Sequence, residues 1–227
     1  MNTFYFKAAK LSLLMVSLLF MGCNTEDNNS RNGNDNTSLN LELYFPYSAE
    51  SLEVHQSEEL NFSVQTVVEG LEFPWGVAFL PNGNVLITER DSGNLMLVRD
   101  GVLVEDPISG VPDVVERGQG GLLDVEAHPN HEDNGWIYIT YSKAGDVGSN
   151  TALIRARYDE ESHSLIDLEE LFAGTPTTEG GVHFGGRIVF DADGYLFFAI
   201  GDRGRMDTAQ DHTNSHGNLF RLYDDGS

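Results

Sequence analysis

Two ionisable residues bracket one apolar stretch of the chain. In "GGVHFGGRIVFDADGYLFFAIGDRGR", Gly180 to Arg205, His183 comes before the stretch and Asp202 after it. An imidazole beside a carboxylate is the minimal general-base unit: the carboxylate fixes the ring tautomer and stabilises the imidazolium that forms. The intervening residues, Ile188 to Ile200, follow a strand–turn–strand pattern that would bring the two ends side by side. A histidine and an aspartate at loop ends also serve as turn caps, and the pair by itself leaves both roles open. Gln119, in "RGQGGLLDVEAHP", is a third candidate, because an amide binds a substrate hydroxyl or carbonyl. The glycines around it permit close backbone approach to a flat ligand, or simply a turn. His212 and His216, in "DTAQDHTNSHGNLFRL", have a spacing that would suit a metal on a helix, but Gly217 and the strand pattern after it argue against one. No metal-ligand set is expected. Phosphate-loop, dinucleotide-fingerprint, G-x-S-x-G and HExxH motifs are all absent from the sequence.

Charge and cysteine content narrow the chemistry further. The 227 residues carry 36 acids against 13 bases, a formal net charge of −23, and a surface of that sign repels nucleic-acid phosphates. Nucleic acid is therefore excluded as a partner. Cys23 is the single cysteine, which rules out an internal disulfide and a cysteine-ligated zinc. Its position is informative. The basic start "MNTFYFKAAK" and the short apolar run "LSLLMVSLLFMG" lead directly to it, a pattern that resembles the bacterial lipobox. Residues 1–22 are thus expected to be a lipoprotein signal peptide, with Cys23 acylated. The chain would then sit in the bacterial cell envelope, periplasmic or cell-surface, held to the membrane through its lipid anchor. "NTEDNNSRNGNDNTSLN", Asn24 to Asn40, has too few apolar residues to build a core and reads as a tether, so 23–60 is taken as anchor, tether and unassigned lead-in.

The elements that must position the candidate residues lie in 61–227. "GVAFLPNGNVLITER" (Gly76 to Arg90) and "RIVFDADGYLFFAIGD" (Arg187 to Asp202) share one plan: an apolar strand ending in Phe, a polar turn, a glycine and a second apolar strand. "GLLDVEAHPNHEDNGWIYITYS" (Gly121 to Ser142) repeats it with a longer turn. "LMLVRDG" and "ALIRARYD" read as further short strands, and helical periodicity is weak throughout. A recurring hairpin unit points to an all-β fold of four-stranded propeller blades rather than a β-sandwich, with about three blades covered. Three blades are too few to close a ring, so 61–227 is expected to be the N-terminal part of a longer propeller.

Taken together, "FPWGVAFLPNGNVLITER", "GQGGLLDVEAHP", "NGWIYITYS", "HFGGRIVFDADGYLFFAIGDRGR" and "GNLFRLYDDGS" resemble the PQQ-dependent soluble glucose and aldose sugar dehydrogenases, the glucose/sorbosone dehydrogenase family. The resemblance covers about Val64 to Ser227. It implies a six-bladed β-propeller with pyrroloquinoline quinone (PQQ) on its axis, oxidising an aldose to its lactone and passing electrons to an external acceptor. On that resemblance His183 is the base that takes the proton from the anomeric hydroxyl, Asp202 supports it, and Gln119 lies at cofactor and substrate. The family's calcium ligands and its remaining cofactor contacts belong to the second half, beyond Ser227. Two positions depart from the soluble glucose enzyme: Val182 stands where that enzyme has an acidic residue, and Asp207 where it has a glutamine. Both matter for sugar contacts, so the resemblance does not specify the sugar. Related propellers in hedgehog-interacting proteins bind protein ligands, and the alternative is accordingly a non-catalytic cell-surface propeller that binds a protein or glycan. A calcium-dependent lactonase-type propeller would need an axial Glu/Asn/Asp set that the sequence does not display.

Overall fold

A computed structural model describes residues 5–6, 54–56, 58 and 61–227. The expected signal peptide (apart from Tyr5 and Phe6), Cys23 and the tether lie outside these residues. The chain divides into two compact units, Tyr5–Val67 and Val68–Ser227. In the first, β1 (Tyr5–Phe6), β2 (Val54–Gln56), β3 (Asn61–Ser63) and β4 (Gln65–Thr66) form two short antiparallel ladders, β1 with β4 and β2 with β3.

The second unit holds three successive antiparallel sheets. The first runs β5 (Pro74–Phe79), β6 (Val85–Glu89), β7 (Leu95–Arg99) and β8 (Val102–Leu103) in sequence order. The second runs β9 (Leu122–Ala127), β10 (Trp136–Ala144), β11 (Ser149–Asp159) and β12 (Ser164–Ala173). The third consists of β13 (Ile188–Phe190), β14 (Leu196–Ile200) and β15 (Asn218–Leu222). These are β-propeller blades, as the hairpin repeat predicts, two of them with the expected four strands and the third with three. A single helical turn, α1 (His131–Asn134), occupies the longer β9–β10 connection.

The repeated hairpins are built alike. Leu80 N–H donates to Asn84 O at 2.9 Å, and Asp191 N–H to Tyr195 O at 3.0 Å. Gly83 and Gly194 adopt φ of 86° and 84° at the same place in each turn. A Cβ there would meet nothing within 4 Å, so the left-handed backbone, and not lack of room, is what requires glycine.

Alternation along β10 shows how the blades stack. Ile137, Ile139 and Tyr141 join the core shared with Leu86, Leu95 and Leu97 of the first sheet. Trp136 and Tyr138 join the core shared with Ile188, Leu196 and Phe198 of the third. A strand buried on both faces has a sheet on either side, and each side chain in turn points to opposite neighbours. Buried threonines then lock one inner strand to the next. Thr88 Oγ1 accepts from Gly76 N–H at 2.8 Å and donates to Leu123 O at 2.5 Å. Thr140 Oγ1 accepts from Asp124 N–H at 3.0 Å and donates to Gly186 O at 2.7 Å. Each hydroxyl thus satisfies an amide of its own sheet and a carbonyl of the following one.

The strand β12 was not legible as a separate element. Six of its ten residues are exposed, among them Ile166 and Leu168, so its apolar residues do not report a buried face. Pairing along β11 holds it, reinforced by Arg155–Glu169 at 2.7 Å and Arg157–Asp167 at 2.6 Å.

Candidate active site

The connections that lead into the inner strands bring the candidate residues together. Gln119 lies in the β8–β9 connection, His183 in the β12–β13 connection, and Asp202 immediately after β14. The antiparallel pairing of β13 with β14 returns the chain so that Asp202 Oδ1 lies 2.6 Å from His183 Nδ1. The same oxygen accepts Gly204 N–H at 2.9 Å. The hydrogen bond from His183, and after it the one from Gly204, holds the Asp202 carboxyl below the usual carboxylate range. An ionised carboxylate only accepts, so His183 Nδ1 carries the hydrogen and donates it. The lone pair is then on Nε2, on a ring whose side chain is 55% exposed. That is the tautomer a general base needs.

Gln119 meets His183 in a way its sequence context did not indicate. Its Oε1 accepts His183 N–H at 2.7 Å, while Gln119 N–H donates to Gly181 O at 2.8 Å. The amide therefore holds the backbone of the histidine loop through its oxygen, on a residue that is itself exposed. The glycines show a second difference from expectation. A Cβ on Gly118 would stand 2.4 Å from Gly181 O, and one on Gly201 would stand 2.4 Å from His183 O. The close approach they permit is to the protein's own neighbouring backbone.

His183 itself has φ of 54°, and Arg203 has φ of 56°. Non-glycine residues in this region cost about 1–2 kcal/mol each, so the surrounding contacts must over-determine them. Thr151 Oγ1 donates to Phe184 O at 2.7 Å. Ser142 braces the Gln119 loop: its Oγ donates to Val115 O at 2.6 Å, and its backbone carbonyl accepts Val115 N–H at 2.8 Å. None of these hydroxyls was singled out from the sequence. Their partners are 27 to 33 residues away.

A second polar cluster sits on the inner strands. Asp124, on β9 and 1% exposed, accepts from Arg187 Nη1 at 2.7 Å and from Ile188 N–H at 2.8 Å. The Arg187 guanidinium lies 4.9 Å from the Trp75 ring centroid. Burial raises the Asp124 carboxyl, opposed by the Ile188 amide and Arg187. Two residues on, Glu126 is pushed up to about 7 by burial and by the charge of Asp124.

His212 and His216 do not converge on a metal. His216 is fully buried, with Nδ1 3.0 Å from Thr208 Oγ1 and Nε2 3.1 Å from Pro176 O, so both ring nitrogens are occupied. Among the described residues no group of three or more His, Cys, Asp or Glu side chains could hold a metal ion. Val182 is 39% exposed beside His183, and Asp207 is exposed in the short 3-10 turn Met206–Thr208.

Propeller blades that place a carboxylate-oriented histidine at the approach to their inner strands define the class: an all-β propeller with a candidate general-base pair. The chain belongs to the glucose/sorbosone dehydrogenase family, whose model matches residues 71–227. It is 39% identical over 165 residues to aldose sugar dehydrogenase YliI of Escherichia coli (strain K12), an alignment covering 72% of this chain and 44% of that one. The crystal structure of the soluble aldose sugar dehydrogenase from Escherichia coli, in its apo-form, superposes with a TM-score of 0.66 at 42% identity, covering 69% of this chain and 46% of the other. The PQQ-bound aldose sugar dehydrogenase from Streptomyces coelicolor gives a TM-score of 0.64 at 31% identity, covering 71% and 48%. The chain thus spans about half the length of the relatives it matches.

Proposed function

We propose that residues 61–227 form the base-bearing part of a PQQ-dependent sugar dehydrogenase that oxidises an aldose to its lactone. The observation that carries this reading is the His183–Asp202 contact of 2.6 Å, which leaves Nε2 of an exposed imidazole free to accept a proton. In the proposed reaction His183 Nε2 takes the proton of the anomeric hydroxyl, and Asp202 stabilises the imidazolium through Nδ1–H. PQQ, when bound, supplies the acceptor for the hydride that leaves the anomeric carbon, and the electrons then pass to an external acceptor. Gln119 fits such a group chemically: with Oε1 engaged by His183 N–H, its Nε2 hydrogens can donate to a quinone or sugar oxygen. His183 and Gln119 are the residues of this chain that would touch it.

Calcium enters the proposal only for the whole protein, through ligands other than the described residues. Val182, an apolar side chain beside the proposed base, leaves the identity of the aldose open. The envelope location and the lipid anchor at Cys23 complete the reading, supported by the apolar run that ends at Cys23 and the polar stretch that follows.

The test is dye-linked aldose oxidation by the whole protein reconstituted with PQQ and calcium. His183→Ala should lower kcat by at least about a hundredfold, and Asp202→Asn by about tenfold or more. Wild-type rates in His183→Ala would remove the base from this role, whereas no aldose oxidation by the whole wild-type protein would favour a binding propeller.

A further inference from the structure

Arg203 has no part in the proton transfer, yet it is the largest fully buried side chain among the described residues, 2% exposed. Burial of a cation is costly unless it is paired and hydrogen-bonded. Among the described residues no carboxylate forms an ion pair with it, and its Nε has no partner. Backbone oxygens take the place of a counter-ion. Nη1 donates to Val182 O, and Nη2 donates to Gly180 O at 2.5 Å. The guanidinium carbon lies 3.3 Å from the centroid of the Phe184 ring. That ring in turn packs against the Gln119 loop, since a Cβ on Gly120 would fall 2.6 Å from Phe184 Cζ. Burial pulls the Arg203 guanidinium down to about 10, which leaves it charged at neutral pH.

The geometry assigns Arg203 as a positioning residue for His183. Val182 and Phe184 are the two neighbours of His183, and the guanidinium holds one by its carbonyl and the other by its ring. Asp202 and Arg203 are adjacent, so one loop supplies both contacts: the carboxylate to the imidazole and the guanidinium to the backbone carbonyls of Gly180 and Val182. The His183 backbone at φ 54° is the conformation that this grip stabilises. Without the fork, segment 180–184 is free to relax toward ordinary φ, and the ring moves off Asp202. Lysine does not replace it, because an ammonium lacks the planar fork that meets two carbonyls and a ring at once.

This role rests on the proposed function only for the kinetic half of its test. Arg203→Lys in the whole protein should lower kcat by about ten- to a hundredfold while KM stays within about twofold, the signature of a misplaced base rather than lost binding. Independently of turnover, the ring of 15N-labelled His183, assigned by its absence in His183→Ala, should show a hydrogen-bonded Nδ1–H that weakens or broadens in Arg203→Lys. Wild-type kcat together with an unchanged ring signal overturns the proposal. If the wild-type protein oxidises no aldose, the function fails, and the ring signal alone decides the role of Arg203. Should Arg203→Lys show no cooperative unfolding transition, Phe184→Leu takes over, since it removes the ring that seats the guanidinium. The same losses are expected there, and their absence likewise overturns the proposal.

Discussion

Thr140→Val tests the way consecutive blades are fastened. Valine matches threonine in shape and replaces only the hydroxyl by a methyl group. At this position the hydroxyl, fully buried, serves Asp124 N–H at 3.0 Å and Gly186 O at 2.7 Å. Its loss leaves one donor and one acceptor without partners in a place water does not reach. Each unsatisfied buried group costs about 1–3 kcal/mol. A destabilisation of about 3 kcal/mol is therefore expected, allowing for some relaxation. For a unit of this size that corresponds to a fall of about 6–12 °C in Tm. Thr140→Ser is the control: it keeps both hydrogen bonds, loses one methyl, and should cost only about 1 kcal/mol. Urea unfolding and calorimetry on the two variants measure the difference. If Val costs no more than Ser, the hydroxyl does not fasten the sheets and the reasoning fails.

Two further outcomes follow from charge and from sequence. Glu126 keeps its proton up to about pH 7 in the folded protein, against 4.5 for the ordinary side chain. The folded state therefore binds more protons than the unfolded one between those values, and stability falls as pH rises through that window. Glu126→Gln should stabilise the protein by up to about 3 kcal/mol at pH 8 and by almost nothing at pH 4. Urea unfolding at several pH values checks this, and a gain independent of pH would contradict it. For the proposed anchor, Cys23→Ser should move the protein from the membrane fraction to the soluble fraction. A wild-type protein already soluble after membrane sedimentation would rule the anchor out.

The parts of this fold that could be read from sequence are those whose cause is local. Asn82-Gly83 and Asp193-Gly194 announce their hairpins because the left-handed backbone of those turns is set within a few residues. The apolar strands between the turns read equally well, since alternation reports burial directly. The strand β12 did not, because an outer strand held by cross-strand pairing and ion pairs leaves apolar residues such as Ile166 and Leu168 exposed, and its pattern does not mark a buried face.

The site divides along the same line. Sequence alone determined that His183 and Asp202 flank one hairpin, and a hairpin returns its ends to each other whatever the rest of the chain does. Hence their 2.6 Å contact was foreseeable. It did not determine what Gln119 does. The amide oxygen reaches His183 N–H across 64 residues, and only the stacking of blades sets that distance. Nor did it show that the crowded glycines make room for the protein's own backbone. Arg203 is the sharpest case. In the string "GDRGR" it resembles any surface arginine, yet the tertiary structure buries it against the carbonyls of the histidine loop. A buried cation satisfied by distant carbonyls and a ring has no local signature, because every group that makes it tolerable comes from another part of the chain.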